Sequence, residues 1–422
     1  MKEVKIQTEI DDNYNGRSPI FIDNSFFQLL IKLCEDLRYI LCIFIMIFIL
    51  SIPFLNAFYN KNFIDITPYN KYVTDCKNLV IYEREKVYNE HPYISICMSA
   101  YNMQEYIEKN LISIINQSFQ DFEIIIVNDA SEDETQNIIY RIQKNDKRIK
   151  LLSHENKLGV YRSRIETIFN SKSEYILLMD PDDMYLNENL FKELYDYNLK
   201  KNLDIIEFSS LQQIEGDDRI YYPKVQFGNH YHNFCKSIIS QPELSNILYY
   251  WPNTKKFSRT ICRNIWNKMI RIDILIQASN YIGKEYYNEY IIVTDDMILN
   301  VITYEFANNY SNIKLPGYLY LRRNISMSRG GGDELKIIRA KNFLSYFKIF
   351  YRYIKDYNKD INILFYEMKN LENKILVVKE NNMTMNKYRK VLVRLIDKIQ
   401  KESNLSKEFE SYLQNLSSYI EN

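Results

Sequence analysis

From Pro92 onward, short apolar runs alternate with stretches of helical periodicity. The runs are Tyr93–Met98, Phe122–Val127, Lys150–Ser153, Tyr175–Met179 and Leu203–Phe208. Amphipathic stretches lie between them, near residues 105–117, 133–143, 160–169 and 187–199. Strands and helices that alternate at this spacing are typical of βαβ units. The pattern therefore predicts an α/β fold with a mostly parallel sheet flanked by helices.

Polar residues directly follow three of these apolar runs. They are Ser99 with Tyr101 after the first run, Asp129 after the second, and Asp180, Asp182 and Asp183 after the fourth. Right-handed crossovers place the carboxyl ends of parallel strands on one edge of the sheet, where ligands bind in open α/β folds. We therefore predict a ligand site at this edge.

The segment Tyr39–Phe58 carries no charge and is long enough to cross a bilayer as a helix. A buried core helix is the alternative, but soluble helices normally keep a polar stripe. The segment predicts one membrane span, preceded by a tail over residues 1–38 and followed by a polar stem over residues 59–90. Flanking lysines and arginines do not settle its orientation.

The remainder of the chain predicts two further parts. Residues 91–330 contain the alternating pattern, and residues 331–422 show helical spacing with no strand pattern. We expect an α/β domain followed by a helical C-terminal extension. The 54 basic and 54 acidic side chains balance, which argues against a strongly basic nucleic-acid-binding protein. The six cysteines form no metal-ligand pattern.

Two acidic clusters are candidates for chemistry. The carboxylates of the Asp180–Asp183 cluster can coordinate a hard divalent cation such as Mn²⁺ or Mg²⁺, which suits a diphosphate ligand. The alternative is a proline-aspartate turn that ends a strand. Asp295 and Asp296 follow another apolar run, and an acid there can act as a general base. For this pair the alternative is helix capping, with Thr294 as the N-cap.

A strand-end acid and three arginines have similar alternatives. Asp129 could accept hydrogen bonds from a base or ribose, while Ser131 and Glu134 fit a capping box for the following helix. Arg164 lies near the start of a predicted helix, and Arg322 and Arg323 precede a glycine triplet that permits a mobile lid. Arginine binds phosphate bidentately, although solvated surface charge is equally ordinary for each of them.

Six segments stand in an order that resembles glycosyltransferase family 2, whose members have the GT-A fold. They are MSAYN, IIIVNDASEDET, NKLGVYRSRI, YILLMDPDDMY, WNKMIR and VTDDMIL, within roughly residues 93–330. Each segment alone is a weak signal, but the ordered set is specific. The chain departs from the family pattern where the proline before the YN pair is absent and where Asp295 replaces glutamate. The QxxRW motif of processive synthases is missing, so we expect single sugar additions.

The resemblance implies roles for matching residues. The implied donor-binding residues are Ser99, Tyr101, Asp129, Arg164, Asp180 and Asp182, with Arg322 and Arg323 near the diphosphate. Asp182 and Asp183 would hold Mn²⁺ or Mg²⁺. Asp296 is the implied base beside Asp295, and Lys268 is implied on the acceptor side.

The implied function is a membrane-anchored, inverting transfer of a sugar from a nucleotide-diphosphate sugar, with a UDP-sugar favoured. The acceptor would be a hydroxyl of a glycan, glycoprotein or lipid, and no nucleic acid is expected as a partner. A GT-A nucleotidyltransferase and an inactive homologue that binds glycans or acts as a scaffold stay open. By analogy with single-span transferases we expect a type II protein of the Golgi or endoplasmic reticulum. A cytosol-facing enzyme that uses a dolichyl-phosphate acceptor is the alternative.

Overall fold

The computed structural model describes residues 67–221, 238–247, 264–324, 333–370, 383–401 and 405–421. The predicted tail, the predicted membrane span at residues 39–58 and the first part of the predicted stem lie outside the described residues. Within the described ranges, no helix has the length and apolar character needed to cross a membrane.

Ten strands join in one sheet. They are β1 (Ile94–Ala100), β2 (Phe122–Asn128), β3 (Ile149–Ser153), β4 (Tyr175–Met179), β5 (Met184–Tyr185), β6 (Ile205–Ile214), β7 (Ile220–Tyr221), β8 (Ile239–Ser240), β9 (Lys268–Arg271) and β10 (Asn309–Arg322). Along the sheet the order is β3-β2-β1-β4-β9-β6-β10-β5, with β7 beside β6 and β8 beside β10.

The predicted α/β class is confirmed, and the sheet is mixed, with its four longest pairings parallel. Strands β3, β2, β1 and β4 pair in parallel, as predicted. Strand β9 then enters antiparallel to both β4 and β6, and β10 pairs in parallel with β6. The short strands β5, β7 and β8 pair antiparallel. The sheet is therefore mixed.

Thirteen helices lie within the described ranges. They are α1 (Thr67–Lys77), α2 (Ile107–Ile115), α3 (Thr135–Gln143), α4 (Val160–Phe169), α5 (Leu190–Asn198), α6 (Glu243–Ile247), α7 (Ile272–Ile282), α8 (Lys284–Tyr287), α9 (Asp295–Phe306), α10 (Asp333–Asp356), α11 (Asn362–Asn370), α12 (Met383–Gln400) and α13 (Lys407–Glu421). Helices α2 to α5 fall inside the four predicted amphipathic stretches.

Alternating side chains of the strands bury two faces of the sheet, as the period of a strand requires. On β1, Ile96 packs with helices α2 and α5, whereas its neighbour Cys97 packs on the opposite side with α4 and α7. Leu177 and Leu178 divide in the same way on β4. Strands β1 and β4 are thus covered on both faces, and the carboxyl ends of the four parallel strands meet at one edge.

Part of the predicted stem is folded against the sheet. Tyr72, Val73 and Cys76 of helix α1 are buried in a cluster with Leu211 of β6 and Leu319 of β10. The Tyr72 hydroxyl also donates a hydrogen bond of 2.5 Å to the Ser113 carbonyl. The described portion of this segment is therefore helical and packed, while the predicted boundaries of the stem stay a prediction.

The C-terminal helices share the larger hydrophobic core and support a loop of the α/β domain. Phe343 and Phe347 of α10 are buried together with helices α7 and α9. The Asn342 amide accepts a hydrogen bond from Ile292 N–H at 2.9 Å and donates one to the Tyr290 carbonyl at 3.0 Å. This side chain therefore fixes the backbone just before helix α9.

Candidate active site

Arg164 connects two acids that are remote in the sequence. Its guanidinium is buried in helix α4, and Nη2 lies 2.9 Å from Oδ1 of Asp180, directly after β4. The other terminal nitrogen pairs with Asp295, the first residue of α9. Burial disfavours the charged guanidinium, but the two carboxylates outweigh it and raise the pKa of Arg164. The contact brings the carboxyl end of β4 and the start of α9 together, as predicted for one site.

Two acids near Arg164, Asp180 and Asp296, hold their protons more tightly than free aspartates. Burial, together with the charge of Asp295, raises the pKa of Asp296 to about 7, although Arg164 acts in the opposite direction. Burial also raises the pKa of Asp180 to about 6, again against Arg164. A carboxylate whose pKa lies near neutrality is suited to accept a proton at physiological pH. Asp296 therefore has the property that the predicted base requires.

A second arginine, Arg323, pairs with Asp182, another acid that follows β4. Its Nε lies 2.7 Å from Oδ2 of Asp182, and its guanidinium carbon lies 5.1 Å from the centre of the Tyr106 ring. Arg322, the other arginine predicted here, is exposed. A cavity of about 340 Å³ opens beside Asp182 and is also lined by Tyr106 and Lys109. Its volume lies at the lower end of the range for ligand pockets.

Asp183 forms hydrogen bonds to strand β10 of the sheet. Its Oδ2 accepts a hydrogen bond from the Tyr318 hydroxyl at 2.7 Å, and its Oδ1 accepts one from Leu321 N–H at 2.7 Å. Both partners belong to β10, so the acid joins the turn after β4 to that strand. This arrangement favours a bracing role over the predicted role as a metal ligand.

The remaining carboxylates suit a metal site that is completed by the phosphates of a bound ligand. Across the described ranges, no three potential ligands converge to form a metal site. Mg²⁺ commonly uses one or two carboxylates together with substrate phosphates. Asp182 lies beside the cavity and pairs with Arg323 through its Oδ2; burial raises its pKa, and Arg323 acts in the opposite direction. It is thus the acid best placed for such a shared site.

Asp129 is held at the neighbouring strand end. Its Oδ1 accepts hydrogen bonds from Leu158 N–H and contacts Nδ1 of His154, each at 2.8 Å. Its Oδ2 accepts one from Gly159 N–H at 2.9 Å. An ionised carboxylate offers about four lone-pair directions. Among the described residues no donor occupies the second direction on Oδ2, which leaves it for a ligand donor.

Aromatic and basic side chains lie beside Asp129. The Lys157 ammonium lies 3.5 Å from the centre of the Tyr101 ring and 5.9 Å from that of Tyr290. Burial lowers the pKa of Lys157, and it raises the pKa of Tyr290 to about 12 with the help of Asp129. Ser99, near the end of β1, is half-buried. Aromatic and cationic side chains arranged in this way can pack against a flat ring.

Three strained residues adjoin the site. Asn102, Ala130 and Thr294 have positive φ angles of 52°, 58° and 73°, respectively. They directly follow Tyr101 and Asp129 or precede Asp295. The left-handed region is unusual for residues other than glycine, most of all for a β-branched one, and such residues are enriched at functional sites.

The capping roles considered for this region are not formed. The Thr294 side chain does not cap α9, and its hydroxyl contacts that of Tyr286 at 3.0 Å. Helix α3 begins only at Thr135, and the Ser131 hydroxyl accepts a hydrogen bond from Asn102 N–H at 3.0 Å. The polar residues after β1 and β2 therefore join two site loops to each other.

Lys268 is buried within the sheet. It is fully buried on β9, 3.5 Å from the buried Glu207 carboxylate, and its ammonium also contacts Asn267 Oδ1 at 3.0 Å. The neighbouring Trp266 stacks on Tyr318 with ring centres 4.4 Å apart. This segment forms part of the core, so the structure does not support an acceptor role for Lys268.

Three residues of this region, His154, Lys157 and Tyr290, were not among the predicted site residues. His154 directly follows β3, so a polar residue stands at the carboxyl end of this parallel strand as at those of β2 and β4. The rule that selected Asp129 and Asp180 would have selected His154 as well. Tyr290 carried no such signal, because a loop remote in the sequence brings it to Asp129.

The fold and these contacts define an α/β protein with a cluster of acids and arginines at the carboxyl edge of its sheet. A structure of S. aureus TarS 1-349 in complex with UDP-GlcNAc has a similar fold, with a TM-score of 0.53. The alignment covers 78% of this chain and 88% of that one at 16% identity. This likeness supports the GT-A-like fold that the resemblance implied.

Residues 95–266 match the family model described as Glycosyl transferase family 2. This segment, less than half of the chain, is therefore similar to glycosyltransferase family 2 domains. GlyG, a glycosyltransferase of Streptococcus pneumoniae, is 31% identical over 129 residues, 31% of this chain and 42% of GlyG. The poly(ribitol-phosphate) beta-N-acetylglucosaminyltransferase TarP of Staphylococcus aureus is 27% identical over 242 residues, 54% of this chain and 68% of TarP. Several curated relatives are matched over only about two-fifths of their length.

Proposed function

We propose that this protein transfers a sugar from a nucleotide-diphosphate sugar to a hydroxyl group of a glycan, glycoprotein or lipid, with inversion at the anomeric carbon. The observation that carries the proposal is the junction at Arg164, which brings Asp180 and Asp295 together beside Asp296. A UDP-sugar is the favoured donor. The TarS structure contains UDP-GlcNAc, and TarP is named as an N-acetylglucosaminyltransferase, which supports this choice.

The nucleotide would bind at the edge formed by β1, β2 and β3. Asp129 keeps one acceptor direction for an N–H of the base, since its other contacts are to protein. Tyr101 offers a ring face beside it, and Ser99 lies at the same strand edge. The diphosphate would then extend toward Asp182 and Arg323.

Asp296 would act as the base. It takes the proton of the acceptor hydroxyl while that oxygen forms a bond to the anomeric carbon, and the bond from this carbon to the diphosphate breaks. Attack from the face opposite the leaving diphosphate inverts the configuration. Arg164 and Arg323 stabilise the negative charge that develops on the leaving group. A divalent cation held by Asp182, Mn²⁺ or Mg²⁺, would add positive charge there when bound.

The membrane anchor at residues 39–58 remains part of the proposal. Its support is the uncharged apolar sequence alone. The placement in the Golgi or endoplasmic reticulum and the cytosol-facing alternative stay predictions. Carbonate extraction of membranes tests the anchor, because an integral protein stays with the lipid. Detection of N-glycans on the mature chain would exclude the cytosol-facing orientation.

The decisive experiment uses the full chain purified in detergent. Nucleotide sugars are screened for hydrolysis and for thermal shifts with Mn²⁺ or Mg²⁺, with and without chelator. Cleavage of one sugar nucleotide that stops on chelation would support a metal-dependent transferase, and Asp182→Asn should then lose the response to metal. Neither cleavage nor a shift with any nucleotide sugar would refute the proposal in favour of an inactive homologue.

A further inference from the structure

The imidazole of His154 lies between two carboxylates. Its Nδ1 is 2.8 Å from Oδ1 of Asp129, and its Nε2 is 2.7 Å from Oε2 of Glu166 on helix α4. About 10% of the His154 side chain is exposed, and Asp129 is buried beside it. Both ring nitrogens therefore have an acceptor oxygen at hydrogen-bonding distance, in a place with little water.

A neutral imidazole cannot satisfy both contacts. It carries one N–H, whereas an ionised carboxylate only accepts hydrogen bonds. Glu166 also accepts from the Tyr287 hydroxyl at 2.7 Å and from Arg162 Nε at 3.2 Å. Burial opposes its ionisation, but the hydrogen bonds from His154, Tyr287 and Arg162 lower the pKa of Glu166. The geometry therefore requires the imidazolium form, with two N–H donors.

The surrounding charges favour that form. Asp129 and Glu166 are the charged groups that face the ring. Behind them, Lys157 acts on Asp129, and Arg162 and Tyr287 act on Glu166. Burial alone would lower the pKa of His154, but the hydrogen bonds to the two carboxylates outweigh it and raise the pKa above its ordinary value.

We propose that protonated His154 positions Asp129 to bind the nucleobase, so that donor binding weakens when this histidine loses its proton. The inference rests on the proposed function. In the neutral ring, a nitrogen lone pair would face a carboxylate oxygen at 2.7 or 2.8 Å. One carboxylate then has to turn away, and the open Oδ2 direction of Asp129 turns with it if Asp129 is the one that moves. His154 is thus a positioning residue for the donor, not a catalytic one.

The test measures the Kd of UDP-GlcNAc for the full chain in detergent with constant Mg²⁺. The pH runs from about 6 to about 8.5, an interval above and below the ordinary histidine pKa of about 6.5. The diphosphate of this probe is a diester, so it does not titrate in that interval. We expect a constant Kd at low pH and a rise of up to about tenfold per pH unit above the pKa of His154, since only the protonated fraction is competent.

Three variants separate this role from a structural one. His154→Gln should weaken binding and flatten the pH dependence. In Glu166→Gln the amide N–H can donate to Nε2 of the neutral ring, which keeps its Nδ1–H on Asp129, so binding should persist and its pH dependence should be lost. His91→Gln changes an exposed histidine and should retain the wild-type curve. Thermal melts establish that each variant is folded, and the Glu166→Gln curve decides the matter if His154→Gln is not.

The outcomes are distinguishable. Binding of UDP-GlcNAc that ignores pH, or a His154→Gln variant with the wild-type curve, overturns the role of His154 and leaves the proposed function intact. If UDP-GlcNAc does not bind, the other nucleotide sugars that shift the melting temperature replace it. Absence of binding by all of them at every pH refutes the proposed function and the histidine role with it.

Discussion

Substitution of Gly159 by alanine tests the connection between the fold and the donor site. Gly159 precedes helix α4 with φ 96° and ψ 155°, a region that glycine alone adopts readily. A Cβ atom there would lie 2.7 Å from the Ile291 carbonyl oxygen and 2.9 Å from the Ile291 nitrogen. Both are backbone atoms, so no side chain can simply move aside. The Gly159 N–H also donates to Asp129.

The expected effect has two parts. Backbone strain in this region costs about 1–3 kcal/mol, and forced overpacking adds about 1–3 kcal/mol. Gly283→Ala is the matched control, because Gly283 has φ 87° and ψ 169° but its Cβ would meet nothing closer than 3.7 Å. The control therefore carries the strain without the clash. Gly159→Ala should lower the free energy of unfolding by about 1–3 kcal/mol more than Gly283→Ala.

The donor site should distinguish the two variants more clearly. Relief of the clash has to move the Gly159 N–H or the loop at Ile291, and the first movement weakens a charge-assisted bond to Asp129 worth about 1.5–3 kcal/mol. The Kd for UDP-GlcNAc should then rise about tenfold or more, with little change in Gly283→Ala. Urea denaturation and calorimetric titration measure the two effects. Equal unfolding midpoints and equal Kd values for both variants would refute the reasoning.

Three further predictions concern the base, the buried pair and the C-terminal helices. Asp296→Asn should reduce kcat by about 10² or more with nearly unchanged donor Kd. The kcat of the wild type should fall about tenfold per pH unit below about pH 7, because the raised pKa of Asp296 leaves the base protonated there. Wild-type turnover in the variant would exclude the role of Asp296 as the base. Lys268→Met should lower the free energy of unfolding in urea by about 3–5 kcal/mol, because it leaves Glu207 buried without its cation. A change in acceptor KM without a change in stability would instead support the acceptor role of Lys268. Asn342→Ala should lower kcat and the melting temperature together, since both hydrogen bonds to the backbone before α9 are lost. An unchanged kcat would show that the C-terminal extension does not support the site through this contact.

The first half of the α/β domain was predictable because its pattern is local. Each parallel strand is a short apolar run, and each crossover helix has its own amphipathic period, so neither requires knowledge of distant partners. Strand β9 was not predictable in this way. It spans Lys268–Arg271, carries only two apolar residues and pairs with β4 and β6, which precede it by many residues. Its antiparallel entry turned a predicted parallel sheet into a mixed one.

The site residues also differ in whether a local sequence pattern predicts them. Asp129 and Asp180 were found because they directly follow strands, and the topology of parallel strands places such residues on one edge. The pairing of Arg164 with Asp295 joins residues separated by 131 positions, and no local pattern encodes it. Lys268 shows the reverse situation. Its motif is local and recognisable, but burial against Glu207 is a property of the assembled sheet.

The two ends of the site demand opposite protonation states. Asp296 has to be ionised to accept a proton, and its pKa of about 7 places that form toward higher pH. The proposed role of His154 requires the protonated ring, and its raised pKa extends that form upward from the ordinary value. Two carboxylates that flank one imidazole therefore do more than orient a ligand, because they keep donor binding intact in the pH range where the base becomes active. If the pKa of His154 stayed at its ordinary value, donor affinity would decline over the same interval in which Asp296 loses its proton, and the bell-shaped profile of kcat/KM would narrow and fall.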